Sequence, residues 1–346
     1  MAGFGRFVAA VSTALILGAT TAACGGAAGT TAPVEGGWDD VIAAAKEEGS
    51  VLLYSSQNPA ILESLKAAWQ AKYPTITLEF VRGTDVDMIP RVEAESRTGR
   101  GIADVHVVTD APWIAAAAES GEYSQQLLGP SFRDPAYQPE RSVEHDRFFL
   151  NTAATFGMGW NTDAVPGGLR DPREVLDPKF AGKIGIVNPV GIASFVDLYD
   201  YYRENFGDDY VDRLADLNPR IYPSALGVAQ ALSSGEVAVS PMVQPLVREK
   251  EKGAPVDWAL PQPSWGTPFY GHITSTAPHP NAAQLLADFM VSREGQTAQA
   301  IGVATALPDI PGATADAHEV QTPDPQRLTT EYVNESAQKW QQLFAR

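Results

Sequence analysis

From residue 38 onward the apolar positions alternate between two periods, one helical and one short and continuous. Val41, Ile42 and Ala45 fall on one helical face, Lys46-Glu47-Glu48 follow, and Gly49 supplies a C-terminal stop. Val51-Leu52-Leu53-Tyr54 is then a short apolar run of the kind that buried strands show. Ile61, Leu65, Ala68 and Trp69 return to helical spacing and end at Tyr73-Pro74, and residues 76–81 alternate as a strand. Residues 89–97 predict a helix, 103–108 a third strand, and 111–120 a helix stopped by Gly121. Strands alternating with helices of about ten to fifteen residues predict an α/β fold, its sheets mixed but mostly parallel and flanked by helices.

Residues 129–150 interrupt this rhythm with Pro130, Pro135 and Pro139 among many charges. A second α/β set follows, with strands over 153–160 and 184–187 and helices over 195–205 and 225–232. The stretch 255–268 is again rich in Pro and Trp, and reads as irregular. Beyond it, Leu285, Leu286 and Phe289 mark an amphipathic helix over 281–291. A last helix over 326–344 places Leu328, Tyr332, Trp340 and Phe344 on one packing face. A chain of 346 residues is too long for one small core. Two lobes, with crossings near 150 and near 260, account for both irregular zones. The expected division is 38–149 for the first lobe, 150–262 for the second, 263–310 for the return to the first, and 311–346 for a C-terminal helical segment.

Composition narrows the partners. The 42 acidic and 25 basic side chains give a net charge of −17, the wrong sign for a nucleic-acid face. A single cysteine rules out a disulfide scaffold and a Cys-clustered zinc site. Residues 1–23 carry one charge, Arg6, before an apolar stretch over 7–17. That stretch is shorter than the ~20 apolar residues a spanning helix needs, but it suits a secretory signal. It ends in Thr21-Ala22-Ala23-Cys24-Gly25-Gly26, which resembles a bacterial lipobox, where cleavage before the cysteine exposes it for lipidation. Thr21 departs from that motif, which usually carries an aliphatic residue there. Residues 24–37 then read as a lipidated flexible tether, so the expected product is extracytoplasmic and anchored to the cell membrane through Cys24.

Several runs together resemble the solute-binding proteins of ABC importers, specifically the ferric-ion-binding-protein-like group. They are Ala43-Ala44-Ala45-Lys46-Glu47-Glu48-Gly49-Ser50-Val51-Leu52-Leu53-Tyr54-Ser55, Ala68-Trp69-Gln70-Ala71-Lys72-Tyr73-Pro74, and Arg91-Val92-Glu93-Ala94-Glu95 leading to Ala103-Asp104-Val105. Trp160-Asn161-Thr162-Asp163-Ala164-Val165-Pro166, Pro178-Lys179-Phe180-Ala181-Gly182-Lys183-Ile184-Gly185 and Ser292-Arg293-Glu294-Gly295-Gln296 extend the likeness over about 38–311. The resemblance implies a two-lobed type II periplasmic-binding-protein fold hinged around a cleft. It further implies a monomer that captures a small polar solute and hands it to a membrane permease, with no cofactor and no catalytic residue.

The resemblance also implies where the cleft lies. The loop after the first strand, Ser55-Ser56-Gln57-Asn58, falls at the carboxyl end of a strand, where α/β sheets bind ligands. Asn58 before Pro59 is equally good helix-capping chemistry. Gly83 and Thr84 follow the second strand, and their amides suit a polar or anionic group, although Gly83 also suits a plain turn. Asp110 stands where the iron proteins place a carboxylate, and it equally caps the next helix. In the second lobe Ser194, in Gly191-Ile192-Ala193-Ser194, and Ser224 occupy helix starts. Iron-binding relatives carry adjacent tyrosines after the Gly235-Glu236 turn. This chain reads Pro241-Met242-Val243-Gln244-Pro245 there, so an organic solute fits better than ferric ion and Gln244 joins the candidates. Trp265 and Tyr270 are candidate stacking surfaces.

Catalytic motifs are missing: the chain has no G-x-S-x-G, H-E-x-x-H or G-x-x-x-x-G-K-[ST]. Its five histidines show no metal-type pairing, and only His272 merits a place beside the ligand. Acidic pairs such as Asp85/Asp87 read as solvated helix faces. A serine-dependent extracellular hydrolase using Ser194 and His272, and a ferric carrier using other ligands, are the alternative readings.

Overall fold

A computed structural model describes residues 31–190 and 192–344. The signal segment 1–23, Cys24 and Gly191 lie outside the described residues.

The chain opens with α1 (Trp38–Glu48), β1 (Ser50–Ser55), α2 (Pro59–Lys72), β2 (Thr77–Arg82), α3 (Asp85–Thr98), β3 (Val105–Val108) and α4 (Ala111–Ser120). Gly49, Gly99 and Gly121 close α1, α3 and α4 in the left-handed region, which glycine reaches without a Cβ penalty. β2, β1 and β3 pair in parallel, as expected for strands joined through helices. Trp69 of α2 is fully buried, donates Nε1 to the Ile76 carbonyl at 2.8 Å, and meets Phe289 edge-on.

Short α5 (Pro139–Ser142) and β4 (Val143–Glu144) lead into the long β5 (Phe148–Asn161), buried along its whole length. The second lobe holds β6 (Gly185–Val187), α6 (Ala193–Phe206), α7 (Tyr210–Asp216), β7 (Arg220–Tyr222), α8 (Ala225–Ser233), β8 (Val239–Val243), α9 (Val247–Glu251) and β9 (Val256–Ala259). The chain returns through β10 (Trp265–Ile273), α10 (Pro280–Val291), α11 (Arg293–Gln299), β11 (Ala304–Thr305) and β12 (Ala315–Asp316). It ends on α12 (Thr330–Phe344).

β5 joins the lobes by changing partners. Its first part pairs antiparallel with β10, up to Phe156 opposite Trp265. From Gly157 onward it pairs with β8 and β9. β10 itself inserts antiparallel between β5 and β3, so the sheet is mixed. The irregular reading of 255–268 therefore needs correction: β9 and the start of β10 lie there. Their partner is β5, far away in the chain, so local composition could not reveal the pairing. The final helix also starts later than its apolar pattern suggested, at Thr330. Residues 31–37, read as part of a free tether, touch the body: Val34 N donates to Asn281 Oδ1 at 2.9 Å and Gln125 Nε2 to the Thr31 carbonyl at 2.7 Å.

Candidate functional site

Five helices begin at one cleft between the lobes: α2, α3 and α4 from the first, α6 and α8 from the second. Each follows a strand or loop whose last residues turn into a cap. Asn58 Oδ1 accepts from Ala60 N at 2.9 Å, Asp110 Oδ1 from Trp113 N at 2.9 Å, and Ser224 Oγ from Gly227 N at 3.3 Å. At α3 the cap is reciprocal, Asp87 Oδ2 accepting from the Thr84 amide and hydroxyl. α6 differs, because Ile192 occupies its cap position and no side chain covers its first amides. The cleft holds about 180 Å³.

Its floor is one face of the two crossing strands. Ala154 and Phe156 on β5 and Thr267 and Phe269 on β10 alternate toward the cavity. Thr267 is 5% exposed, and its Oγ1 has no hydrogen-bond partner. On the first-lobe wall Asp85 Oδ2 accepts from the Thr109 amide at 2.9 Å and hydroxyl at 2.5 Å, while Oδ1 is covered and makes no hydrogen bond. Burial raises the Asp85 pKa above the usual carboxylate value, the Thr109 and Ser56 hydroxyls pull it back, and the Asp110 charge pushes it up again. Arg82 stands on the same wall, with Nε 3.5 Å from the Gln57 carbonyl.

Of the residues singled out from sequence, Ser56, Asn58, Thr84, Asp110, Ser194, Ser224 and Gln244 line this cleft. Ser55 and Gln57 do not. Strand alternation turns them into the core, where Gln57 Nε2 reaches Thr152 Oγ1 at 3.3 Å and Gln299 Oε1 at 3.4 Å. Gly83 lies behind the wall, and a Cβ there would fall 2.1 Å from Met88 Cε.

Neither aromatic candidate lines the cleft either. Trp265 shares the floor's face of β10, but α6 covers it and its Nε1–H donates to Asp197 Oδ2 at 2.8 Å. Tyr270 falls with Pro268 on the opposite face of β10 from Thr267 and Phe269, in a separate cavity beside α4, where burial first and then the Glu144 charge push its phenol up to about 12. His272 is fully buried against His106, so it does not join Ser194. The residues that sequence reasoning passed over are Asp85, Phe156, Phe195 and Thr267. Phe269, one of the aromatics weighed for stacking, lines the cleft where Trp265 and Tyr270 do not. The i, i+2 pair Thr267/Phe269 was the available signal.

Two α/β lobes, helix N-termini gathered on both walls of an interlobe cleft, and a floor of crossing strands define the class of two-lobed ligand-capturing proteins. Residues 51–300 match the bacterial extracellular solute-binding protein family, and the chain belongs to it. No curated protein matches the sequence. Among solved structures, the chain is similar to the substrate-binding protein of an ABC transporter from Agrobacterium tumefaciens. That match has a TM-score of 0.72 at 15% identity and covers 87% of this chain and 97% of the other. It is also similar to the periplasmic binding protein AfuA from Actinobacillus pleuropneumoniae with fructose-6-phosphate bound, at TM-score 0.67, 20% identity, 86% of this chain and 99% of the other. Iron-bound HitA from Pseudomonas aeruginosa follows at TM-score 0.64, 19% identity, 85% of this chain and 99% of the other. These likenesses carry the type II periplasmic-binding-protein fold. Among the described residues no helix is long and apolar enough to cross a membrane.

Proposed function

We propose that the chain is the solute-binding lipoprotein of an ABC importer, tethered outside the cell membrane through Cys24 and working as a monomer without enzymatic activity. Residues 38–149 with 263–310 form one lobe and 150–262 the other, with 311–346 as a bracing segment. A small solute bridges the two walls, stabilises the closed state, and is handed to the permease. The observation that carries this reading is the cleft itself: Ser56, Asn58, Thr84, Asp110, Ser194 and Ser224 at five helix starts, and Gln244 after β8, line one cavity. The lining supports an organic solute over ferric ion, since its described residues include no tyrosine, histidine or cysteine. Native mass spectrometry of the purified protein, paired with small-angle scattering, tests capture. The expected result is one co-purifying solute per chain and a contraction on rebinding it. Purification without a solute, and no contraction with any member of a broad solute panel, would overturn the reading. A fatty-acid mass on the peptide beginning at Cys24 tests the anchor.

A further inference from the structure

The two walls of the cleft carry different electrostatics. On the first-lobe wall stand the carboxylates of Asp85 and Asp110, near enough for Asp110 to act on Asp85, with Arg82 also on that wall. Asp85 Oδ1 is covered and has no partner at hydrogen-bond distance, and the Ser56 hydroxyl that acts on this carboxylate is unpartnered as well. The described part of the second-lobe wall has no charged side chain. It presents the start of α6, a helix of 14 residues with no side-chain cap, next to Ser194. A helix start of that kind carries partial positive charge and free amide donors. Between the walls the floor is apolar, Phe156 and Phe269, except for the buried and unpartnered Thr267 hydroxyl. Two carboxylates without a third acid, imidazole, phenol or thiolate in the described lining suit an ammonium group better than a metal ion. The volume of about 180 Å³ suits a small organic solute rather than a bare ion.

We propose that the captured solute is a zwitterion of amino-acid size. Its ammonium group sits at Asp85 and Asp110 on the first lobe, and its carboxylate sits at the start of α6 beside Ser194 on the second. Its apolar body lies over Phe156 and Phe269, with the Thr267 hydroxyl as the one polar contact of the floor. A solute charged at both ends bridges the lobes, whereas one charged at a single end engages only one wall. This inference rests on the capture reading above.

Isothermal titration of the full mature chain tests it with 5-aminopentanoate and phenylalanine as zwitterions, and pentanoate and pentylamine as their singly charged counterparts. Inorganic phosphate and glucose represent other solute classes. At least one zwitterion is expected to bind one-to-one, at least about tenfold tighter than either singly charged probe. Asp85→Asn should remove most of that preference, bringing the affinity for the zwitterion close to that for pentanoate. Thr267→Val should weaken the zwitterion several-fold without lowering the melting temperature, because Oγ1 makes no bond to lose. Binding of both zwitterions no tighter than that of pentanoate, or no binding of either zwitterion, overturns the inference. Binding of phosphate or glucose with contraction, and of no zwitterion, overturns it too while leaving capture standing. Failure of every solute, co-purified material included, removes the capture reading itself.

Discussion

The imidazole pair buried between β3 and β10 should give this protein an acid sensitivity set by histidine. His106 and His272 face each other across the antiparallel register, with Nδ1 of His106 3.0 Å from Nε2 of His272. Phe148 stacks on His272 with ring centres 4.5 Å apart, and Trp113 closes the cluster at 5.7 Å. Burial holds His272 down at about 3, against an ordinary 6.5, and lowers His106 in the same direction, helped by its neighbour's charge. An unfolded imidazole takes its proton near 6.5 while the folded one does not, so stability is whole above about pH 6.5. It falls as pH drops through that value, and goes on falling toward 3. At about pH 4.5, two units below the unfolded pKa, His272 alone removes on the order of 3 kcal/mol at ~1.4 kcal/mol per unit. His106 adds a loss of the same sign. Asp85, Asp104, Asp200 and Asp288, whose pKa values burial raises, change stability in the opposite sense, so the comparison must be made against a variant. Urea unfolding of wild type and of His106→Gln/His272→Gln, each at about pH 7 and pH 4.5, isolates the pair. The variant should gain at least about 2–3 kcal/mol on wild type between the two conditions. A difference that does not move with pH would refute the reasoning.

Two further substitutions probe the scaffold of the cleft. Asp197→Ala removes a carboxylate that is 2% exposed and accepts from Trp265 Nε1 and Arg327, so chemical denaturation should read a loss of about 3–5 kcal/mol. A loss under about 1 kcal/mol would mean that Arg327 and Trp265 find other partners. Gln57→Ala strips the buried bonds to Thr152 and Gln299 that hold the loop after β1, and should cost about 1–3 kcal/mol by the same assay.

What the chain's pattern reveals and hides follows from the range of the forces involved. The alternation over 38–120 yields β1, β2 and β3 nearly as observed, because β1 and β3 bury short apolar runs continuous in sequence and β2 alternates apolar with polar residues. Polar residues at helix starts, such as Asn58, Asp110 and Ser224, are equally legible, since capping is local chemistry and the caps also line the cleft. Ser55 and Gln57 escaped that logic, because the β1 parity continues two residues past the strand and turns Gln57 toward Gln299 and Thr152, with Ser55 bonded to Gln57. Trp265 and Tyr270 escaped it for another reason. Trp265 is covered by α6, and Tyr270 lies on the face of β10 turned away from the cleft; which face meets the cleft is set by distant partners and leaves no trace near them in sequence. Asp85 looked like a solvated helix-start acid until Thr109, from the end of a different strand, closed over it.

The same contacts say where closure of the proposed kind would act. α6, whose start forms the second-lobe wall, is tied to the entry of β10 twice: Asp197 holds Trp265 Nε1, and Tyr201 donates its hydroxyl to the Pro263 carbonyl at 2.6 Å. Arg327 adds a third tie from the C-terminal segment, pairing with Asp197 and with Glu204 at 2.6 Å. The wall therefore moves with the first residues of β10. The remainder of that strand is held in the first lobe through Tyr270 to Ile273 against β3. Rotation then falls between those anchors, on the floor residues Thr267 and Phe269 and on the opposite strand where β5 leaves β10 for β9 at Gly157. At Gly157 a Cβ would fall 2.5 Å from the Ala259 carbonyl, so the strands approach there more closely than a side chain permits. The floor of the cleft and the hinge are thus the same few residues, and a solute lying on Phe156 and Phe269 presses on the joint whose closure it is proposed to stabilise.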